Sequence, residues 1–310
     1  MNFLSLNVQG LGQSAKKRWI QELNRKHKVN FMAIQETKME NINLFSINTL
    51  LGKFSFDYAF SPSVGYSGGV LCVWDSNMFV KDSVTISDSF VAIQGMWIST
   101  STKILIISVY APQDVSERRT LWEYISIMID SWEGESVILG DFNEVRLEQE
   151  RFGTSFNALG ANAFNSFISM AGLIDLPLEG YSYTWSHKSA SKMSKLDRFL
   201  ISEGLLSVFP SLSAICHDRH LSDHRPILMR ELVVDYGPTP FRIFHSWFSK
   251  SSFDKLAEET WTNLTLLEPN SIILLKKKFQ ALKVAIKNWR KEDNKRSNVS
   301  RSSIQSKLSE

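Results

Sequence analysis

At 310 residues, with 43% hydrophobic content and a formal net charge of +3, the chain is long enough for one large domain, or one domain with an appendage, around a sizeable core. No run of 18 apolar residues offers a membrane-spanning helix, Met1–Asn7 lacks the basic-then-apolar pattern of a secretory signal, and two cysteines, Cys72 and Cys216, cannot build a disulfide framework or a zinc site. The cysteines sit in apolar runs and read as reduced core residues of an intracellular protein. Charge is uneven: residues 271–310 carry 11 Lys and Arg against 3 Asp and Glu, so the remaining chain is net acidic, at −5. A basic tail favours nucleic acid or another anionic surface, and a solvated helix face is the plainer alternative.

In chain order, Phe3 to Leu6 is an apolar, strand-like run that stops at Asn7. Ser14 to about His27 follows as an amphipathic helix with Trp19, Ile20 and Leu23 on one face. Phe31 to Ile34 stops at Gln35-Glu36. Phe54 to Phe60 alternates with period two, as a half-exposed strand does, and Ser67-Gly68-Gly69 turns the chain into the apolar run Val70 to Trp74. Phe90 to Ile98 and Lys103 to Tyr110 read as a hairpin around Ser99 to Thr102. A helix is expected over Ser116–Asp130 with Ser116 as its N-cap. Val137 to Leu139 then stops at Gly140-Asp141-Phe142-Asn143. A helix over Ala161–Ala171 is stopped by Gly172, and three strands, Lys195–Ile201, Ala214–His217 and Pro226–Val234, complete the set.

Past Asp235-Tyr236-Gly237-Pro238-Thr239-Pro240, a linker by composition, the strand signals cease. The expected division is a catalytic domain over 1–235, a linker over 236–246 and a helical, basic extension over 247–310. That extension has helices at Ser252–Trp261 and Ser271 to about Trp289, and a polar, Ser-rich end that is disordered from about Lys291.

Several of these strands end at groups suited to phosphate chemistry. Mg²⁺ takes oxygen ligands, commonly one or two carboxylates plus substrate phosphate, which makes Glu36 and its neighbour Asn7 candidate ligands. Asp141 and Asn143 are two apart, so on extended backbone they face the same way and can jointly orient a water. Ser222-Asp223-His224 supplies an imidazole for general-base work or for contact with a phosphate. Adjacent residues on a strand point oppositely, so the carboxylate orienting His224 is expected to be Asp197, an acid inside an apolar strand, with Arg198 the alternative partner of that acid. Tyr110 ends the longest apolar strand, where a phenol can donate to a phosphate oxygen.

Leu6-Asn7-Val8, Gln35-Glu36-Thr37, Ser108 to Pro112, Gly140 to Asn143, Lys195 to Phe199 and Ser222 to Pro226, in this order, resemble the endonuclease/exonuclease/phosphatase superfamily over about residues 2–232. Asn7 to Gly12, Gln35 to Lys38 and Tyr183 to Ser186 look most like the endonuclease of plant LINE-type (non-LTR) retrotransposons, where it precedes a reverse transcriptase. The resemblance implies an α/β fold, a four-layer αββα sandwich of two mixed sheets, followed here by the helical extension as the start of a connector. It implies a Mg²⁺-dependent DNA endonuclease, with Mn²⁺ as a possible substitute, that leaves a 3′-hydroxyl nick. Asn7, Glu36 and Asp223 would hold or lie near the metal. Asp141 would position or activate water, Asn143 would touch that water or the phosphate, Tyr110 would contact the phosphate, and Asp197 would orient His224. Thr184 and Ser222 would be supporting polar contacts. Gln9 departs from the acid that repair nucleases carry there, and a neutral amide is expected to loosen the metal. DNA is the expected partner, and the protein is expected to be monomeric, nuclear and free of membrane contact, as a fragment or truncated product without its polymerase. Two other readings stand beside this one: another phosphoesterase of the superfamily (a phosphatase or repair nuclease), or a catalytically silent remnant that binds nucleic acid. The loop Lys188 to Ser194, polar and basic, is the expected reader of target sequence.

Overall fold

The computed structural model describes residues 1–51, 55–65, 67–232, 241, 243, 245–264 and 267–307. The chain divides into two compact units, Met1–Val233 and Val234–Glu310. Much of the expected linker, including 236–240, and Phe54 at the head of the alternating strand lie outside the described residues.

The first unit opens with β1 (Asn2–Asn7), α1 (Ser14–His27), β2 (Phe31–Gln35), α2 (Leu44–Leu51), β3 (Phe56–Val64) and β4 (Ser67–Asp75). It continues with β5 (Phe79–Ser87), β6 (Phe90–Trp97), β7 (Thr102–Tyr110), α3 (Val115–Asp130), β8 (Glu135–Asp141), β9 (Arg151–Phe152) and α4 (Ala158–Met170). It ends with β10 (Leu173–Asp175), β11 (Leu178–Gly180), β12 (Trp185–Ser186), β13 (Met193–Ser194), β14 (Asp197–Ser202), α5 (Glu203–Val208), β15 (Leu212–Cys216) and β16 (Ile227–Glu231). Seven strands form one mixed sheet in the order β11-β15-β16-β1-β2-β4-β3, and six form another, β10-β14-β8-β7-β6-β5. A small third sheet, β12-β13-β9, is separate.

The long apolar strands are explained by burial on both faces. Along β7, Ile104 and Ile106 join Phe3, Phe31, Trp74, Trp97 and Phe199 between the two large sheets. Leu105, Ile107 and Val109 of the same strand turn outward, where Trp122 of α3 and Phe164 and Phe167 of α4 cover them. On the other outer face, Trp19 and Ile20 of α1 and Ile47 of α2 cover Leu4, Leu6, Met32 and Ile34. A strand covered on both sides carries no polar alternation, so β1, β2, β7 and β8 read as continuous apolar runs. The result is the four-layer α/β sandwich that the resemblance implied.

Local chemistry shifts several boundaries. The N-cap of α3 is Asp114, whose side chain accepts from the backbone N–H groups of Ser116 and Glu117; Ser116 is the second helical residue. Asn157 caps α4 by accepting from Gly160, so that helix begins three residues before the expected Ala161. Several elements escaped the sequence reading: α2, eight residues long and too short for a helical period to stand out, the edge strand β5, whose side chains are mostly exposed, and the short elements β9 to β13, α5 and the helical turn His245–Phe248.

One buried ion network ties β14 to the chain around it. Arg198 is fully buried, lies 2.7 Å from Asp175 at its Nη1, and pairs through Nη2 with Glu150. It also donates to the carbonyl of Lys195 at 3.1 Å. In the second unit, α6 (His245–Phe248), α7 (Ser251–Thr262) and α8 (Ser271–Lys307) share a small core of Trp247, Phe253 and Ile286. Past Lys291, where disorder was expected, the helix runs on to Lys307, with no Pro or Gly to interrupt it. Replacing Arg198 with Met leaves Glu150 with only Lys195, and Asp175 with only Arg146 and Lys195, as cationic partners among the described residues. The expected cost is about 1–3 kcal/mol of stability, read as a lowered urea midpoint.

Candidate active site

The two large sheets end together at one rim, and strand register decides which side chains meet there. Asn7 pairs with Gln35 at the end of β1 and β2. Across the other sheet, Asp141 lies opposite Tyr110 on β7 and opposite Asp197 on β14. This register needs a close backbone approach just before Asp141. Gly140 has φ +135°, and a Cβ there would lie 2.0 Å from the Val109 carbonyl oxygen, so glycine is required. His224 reaches the rim from the segment before β16 and bridges to Trp185.

At the floor of the rim lies a hydrogen-bonded row of buried groups. His224 Nδ1 is 2.8 Å from Asp197 Oδ2, and His224 Nε2 is 3.7 Å from Asp141 Oδ2. Asn7 Nδ2 donates to Asp141 Oδ2 at 3.0 Å, and the Asn143 backbone N–H donates to Asp141 Oδ1 at 3.0 Å. Asn143, at φ +49°, uses its side-chain amide to donate to the Ala111 carbonyl at 2.6 Å. Thr184 and Ser222 sit behind this row. The Thr184 hydroxyl accepts from the backbone N–H groups of Leu196 and Asp197, each at 2.9 Å, and so fixes the start of β14. The Ser222 hydroxyl donates to the Asn7 carbonyl at 2.7 Å and accepts from the His224 N–H at 3.1 Å, joining the two motifs.

Burial and charge act against each other in this row. Burial, joined by the charge of Asp197, raises the Asp141 pKa to about 6, although His224 and the donors from Asn143 and Asn7 oppose the rise. For His224, burial favours the neutral ring, but Asp197 and Asp141 together outweigh it and raise the pKa to about 10. Near neutral pH the row is therefore carboxylate, imidazolium, carboxylate. Asp197 Oδ1 is buried with no hydrogen-bond partner, which leaves the imidazolium as the compensation for that charge.

The row opens into a cleft of about 420 Å³ whose walls include Glu36, Tyr110, Asp223, Trp185 and Arg151. Burial, and then the charges of Glu36, Asp141 and Asp223, push the Tyr110 phenol well above its ordinary value, so it stays a protonated donor. That effect also shows three carboxylates converging on one cleft. Glu36, at φ +54°, is paired with Lys38 at 3.0 Å. Asp223 Oδ2 accepts from Trp185 Nε1 at 3.1 Å and from Gln9 Nε2 at 3.4 Å, both neutral donors that leave its charge in place. Hard, negatively charged oxygen donors such as these carboxylates fit a Mg²⁺-type cation. Asp141, Asp197 and His224 also lie close enough together to hold a metal, their ligand atoms all within 4.8 Å of one another.

All ten predicted site residues thus lie at one rim, seven of them lining the cleft and Asp197, Thr184 and Ser222 behind it. Sequence reasoning missed Trp185 as the donor to Asp223 and Gln9 as its second donor. Trp185 stood inside a quoted motif without a role, and its contact lies 38 residues away in the chain. Gln9 was read only as a missing charge, whereas its amide orients the carboxylate beside it. Arg151, Thr154 and Gln113 of the cleft wall carried no signal in the sequence.

A 3′ phosphatase from Neisseria, solved bound to a product DNA hairpin, is similar over 74% of this chain and 99% of its own, with a TM-score of 0.60 and 17% identity. An AP endonuclease from Archaeoglobus fulgidus is similar over 75% of this chain and 100% of its own (TM-score 0.60, 15% identity). The endonuclease domain of a telomere-specific non-LTR retrotransposon is similar over 74% and 97% (TM-score 0.53, 15% identity). At such identities these likenesses establish the fold. No curated protein sequence matches the chain. The sequence profile of one family matches residues 4–224, which span the rim motifs from β1 to His224, and by that match the chain belongs to the Endonuclease/Exonuclease/phosphatase family.

Proposed function

We propose that the chain is a divalent-cation-dependent DNA endonuclease of the LINE-type retrotransposon class, hydrolysing a phosphodiester to leave a 3′ hydroxyl. The observation that carries the reading is the Asp197–His224–Asp141 row beneath a cleft walled by further carboxylates. Asp197 holds His224 by Nδ1, so Nε2 and its proton face the cleft. With a pKa raised to about 10, His224 acts as a fixed cation that donates to a phosphate oxygen, rather than as a free base. Asp141, raised to about 6, is the better proton acceptor for an attacking water near neutral pH. Asn7 and the Asn143 N–H fix its carboxylate, and the Tyr110 phenol is a second donor to the phosphate. Glu36, Asp223 and Asn7 are the residues that would hold the cation. A bound Mg²⁺ or Mn²⁺ supplies charge stabilisation at the phosphate and at the departing oxygen.

The DNA substrate is supported by the product hairpin in the Neisseria relative and by the retrotransposon endonuclease among the similar folds. The plant LINE placement rests on the Asn7 to Gly12, Gln35 to Lys38 and Tyr183 to Ser186 motifs. On this reading the protein works on nuclear DNA.

Purified protein is expected to nick supercoiled plasmid in Mg²⁺, to stop when the metal is chelated with EDTA, and to resume with added Mg²⁺ or Mn²⁺. Asp141→Ala and His224→Ala should each lower the nicking rate by about 10²–10⁴-fold while remaining folded by circular dichroism. Equal rates for wild type and either variant would defeat the assignment. Glu36→Gln should raise the Mg²⁺ concentration for half-maximal nicking by on the order of tenfold or more, the scale on which even outer contacts of a metal act.

The acid side of the pH profile follows from Asp141. A raised pKa means the acceptor takes up its proton early as pH falls, so kcat/KM should drop as pH descends through about 6. A rate that stays flat down to about pH 4, the ordinary range of a carboxylate, would remove Asp141 from the base role.

A further inference from the structure

We infer that Arg151, with Ser194 beside it, forms a second anion subsite in the cleft, one that holds a backbone phosphate flanking the phosphate to be cleaved. This rests on the endonuclease reading above and goes beyond it by placing a contact on the nucleic-acid chain outside the reacting group.

The subsite is built by the small third sheet. Arg151 and Ser194 are register partners on β9 and β13, so their side chains lie on one face of that antiparallel pair, and both line the cleft. Phe152, next in the chain, faces the other way and is half exposed. The turn after β9 is held by Gly153, at φ +74°, where a Cβ would lie 1.9 Å from the Ser191 carbonyl oxygen. This close approach carries Thr154 back to the cleft wall beside Arg151.

The charge of Arg151 is uncommitted, unlike that of its neighbours. Arg118 pairs with Glu144, Arg146 with Asp175, and Arg198 with Glu150 and Asp175. Among the described residues no carboxylate lies within ion-pair distance of Arg151. Its Nη1 reaches only the Ser155 carbonyl, at 3.4 Å, and its Nε is buried without a hydrogen-bond partner. A buried guanidinium N–H costs free energy until an acceptor arrives. Arg151 is also the one Lys or Arg among the described residues lining this cleft, whose lining also holds Glu36, Asp141 and Asp223. Arg151 stands on β9, while Glu36 follows β2, Asp141 ends β8 and Asp223 precedes β16. A diester strand can place its reacting phosphate by the carboxylates and a neighbouring phosphate on the guanidinium, which offers a planar fork to phosphate oxygens.

The test compares Arg151, Arg151→Met and Arg151→Lys, each in an Asp141→Ala background that does not nick, on a fluorescein-labelled DNA duplex, by fluorescence anisotropy in Mg²⁺ at several NaCl concentrations. Arg151→Met should bind about tenfold more weakly, with a log-log salt slope smaller by about one, and Arg151→Lys should recover part of the affinity and the slope. In parallel, with Asp141 intact, kcat/KM is measured on supercoiled plasmid and on bis(4-nitrophenyl) phosphate, a diester with no flanking phosphate. The loss in Arg151→Met should be at least about tenfold larger on plasmid than on the aryl diester. Unchanged affinity and salt slope, or equal losses on both substrates, would overturn the subsite. Binding is read without cleavage, so a wild type that fails to nick defeats the endonuclease reading while the affinity comparison still decides the role of Arg151.

Discussion

The site depends on an imidazolium held between two buried carboxylates. Asp197 alone, with one oxygen lacking any hydrogen-bond donor, would be an expensive charge to bury, and so would Asp141. His224 makes both tolerable, and they in turn hold its proton. The three are interdependent: without the ring, two carboxylates would face each other in a nearly dry site, and without either acid the ring would lose much of its reason to be charged. Interactions of this kind fix geometry more than they add stability, and geometry is what a phosphoryl site needs.

Sheet register delivers those groups. Asp197 lies directly opposite Asp141 on antiparallel strands, and Tyr110 lies opposite Asp141 on a parallel one, so one residue of slippage would turn all three away from the rim. The register is secured at two points away from the chemistry. Gly140 permits the backbone contact with Val109 that nothing larger could make, and the Arg198 network anchors the residue after Asp197 to Asp175 and Glu150. Arg198, weighed at the sequence level as a possible partner for Asp197, instead turns to the opposite side of the strand. The alternation along β14 thus separates a structural ion network from the row at the rim.

The sheets were legible because their strands are buried on both faces and leave unbroken apolar runs, and the site was legible because each run ends at a polar side chain. Asp197 was recoverable from energetics alone: an acid in an apolar strand needs a partner, and His224 supplies it at 2.8 Å. The Thr184 hydroxyl, Trp185 and Gln9 resisted that logic because their work is done across the fold. Nothing local says that a threonine will accept two backbone N–H groups twelve and thirteen residues on, or that an indole will orient Asp223. Caps failed for a related reason, since Asp114 and Ser116 are both competent N-caps and only the start of the helix selects between them.

Charge arrangement is the last constraint. An enzyme unit whose cleft carries three carboxylates would repel a polyanion unless something offsets them. In the proposed reaction the offset is divided. Glu36 and Asp223 would hold a cation that cancels charge on the reacting phosphate, and His224 would add a fixed positive charge beside it. Arg151, on β9 of the small sheet, offers a charge with no carboxylate partner among the described residues to a neighbouring phosphate. Residues 271–310, with their excess of Lys and Arg, can supply the longer-range and salt-sensitive attraction that brings a polyanion near, without deciding which bond is cut. Such a division separates affinity from chemistry: the cleft can stay acidic enough to hold a hard cation while the chain as a whole remains net positive.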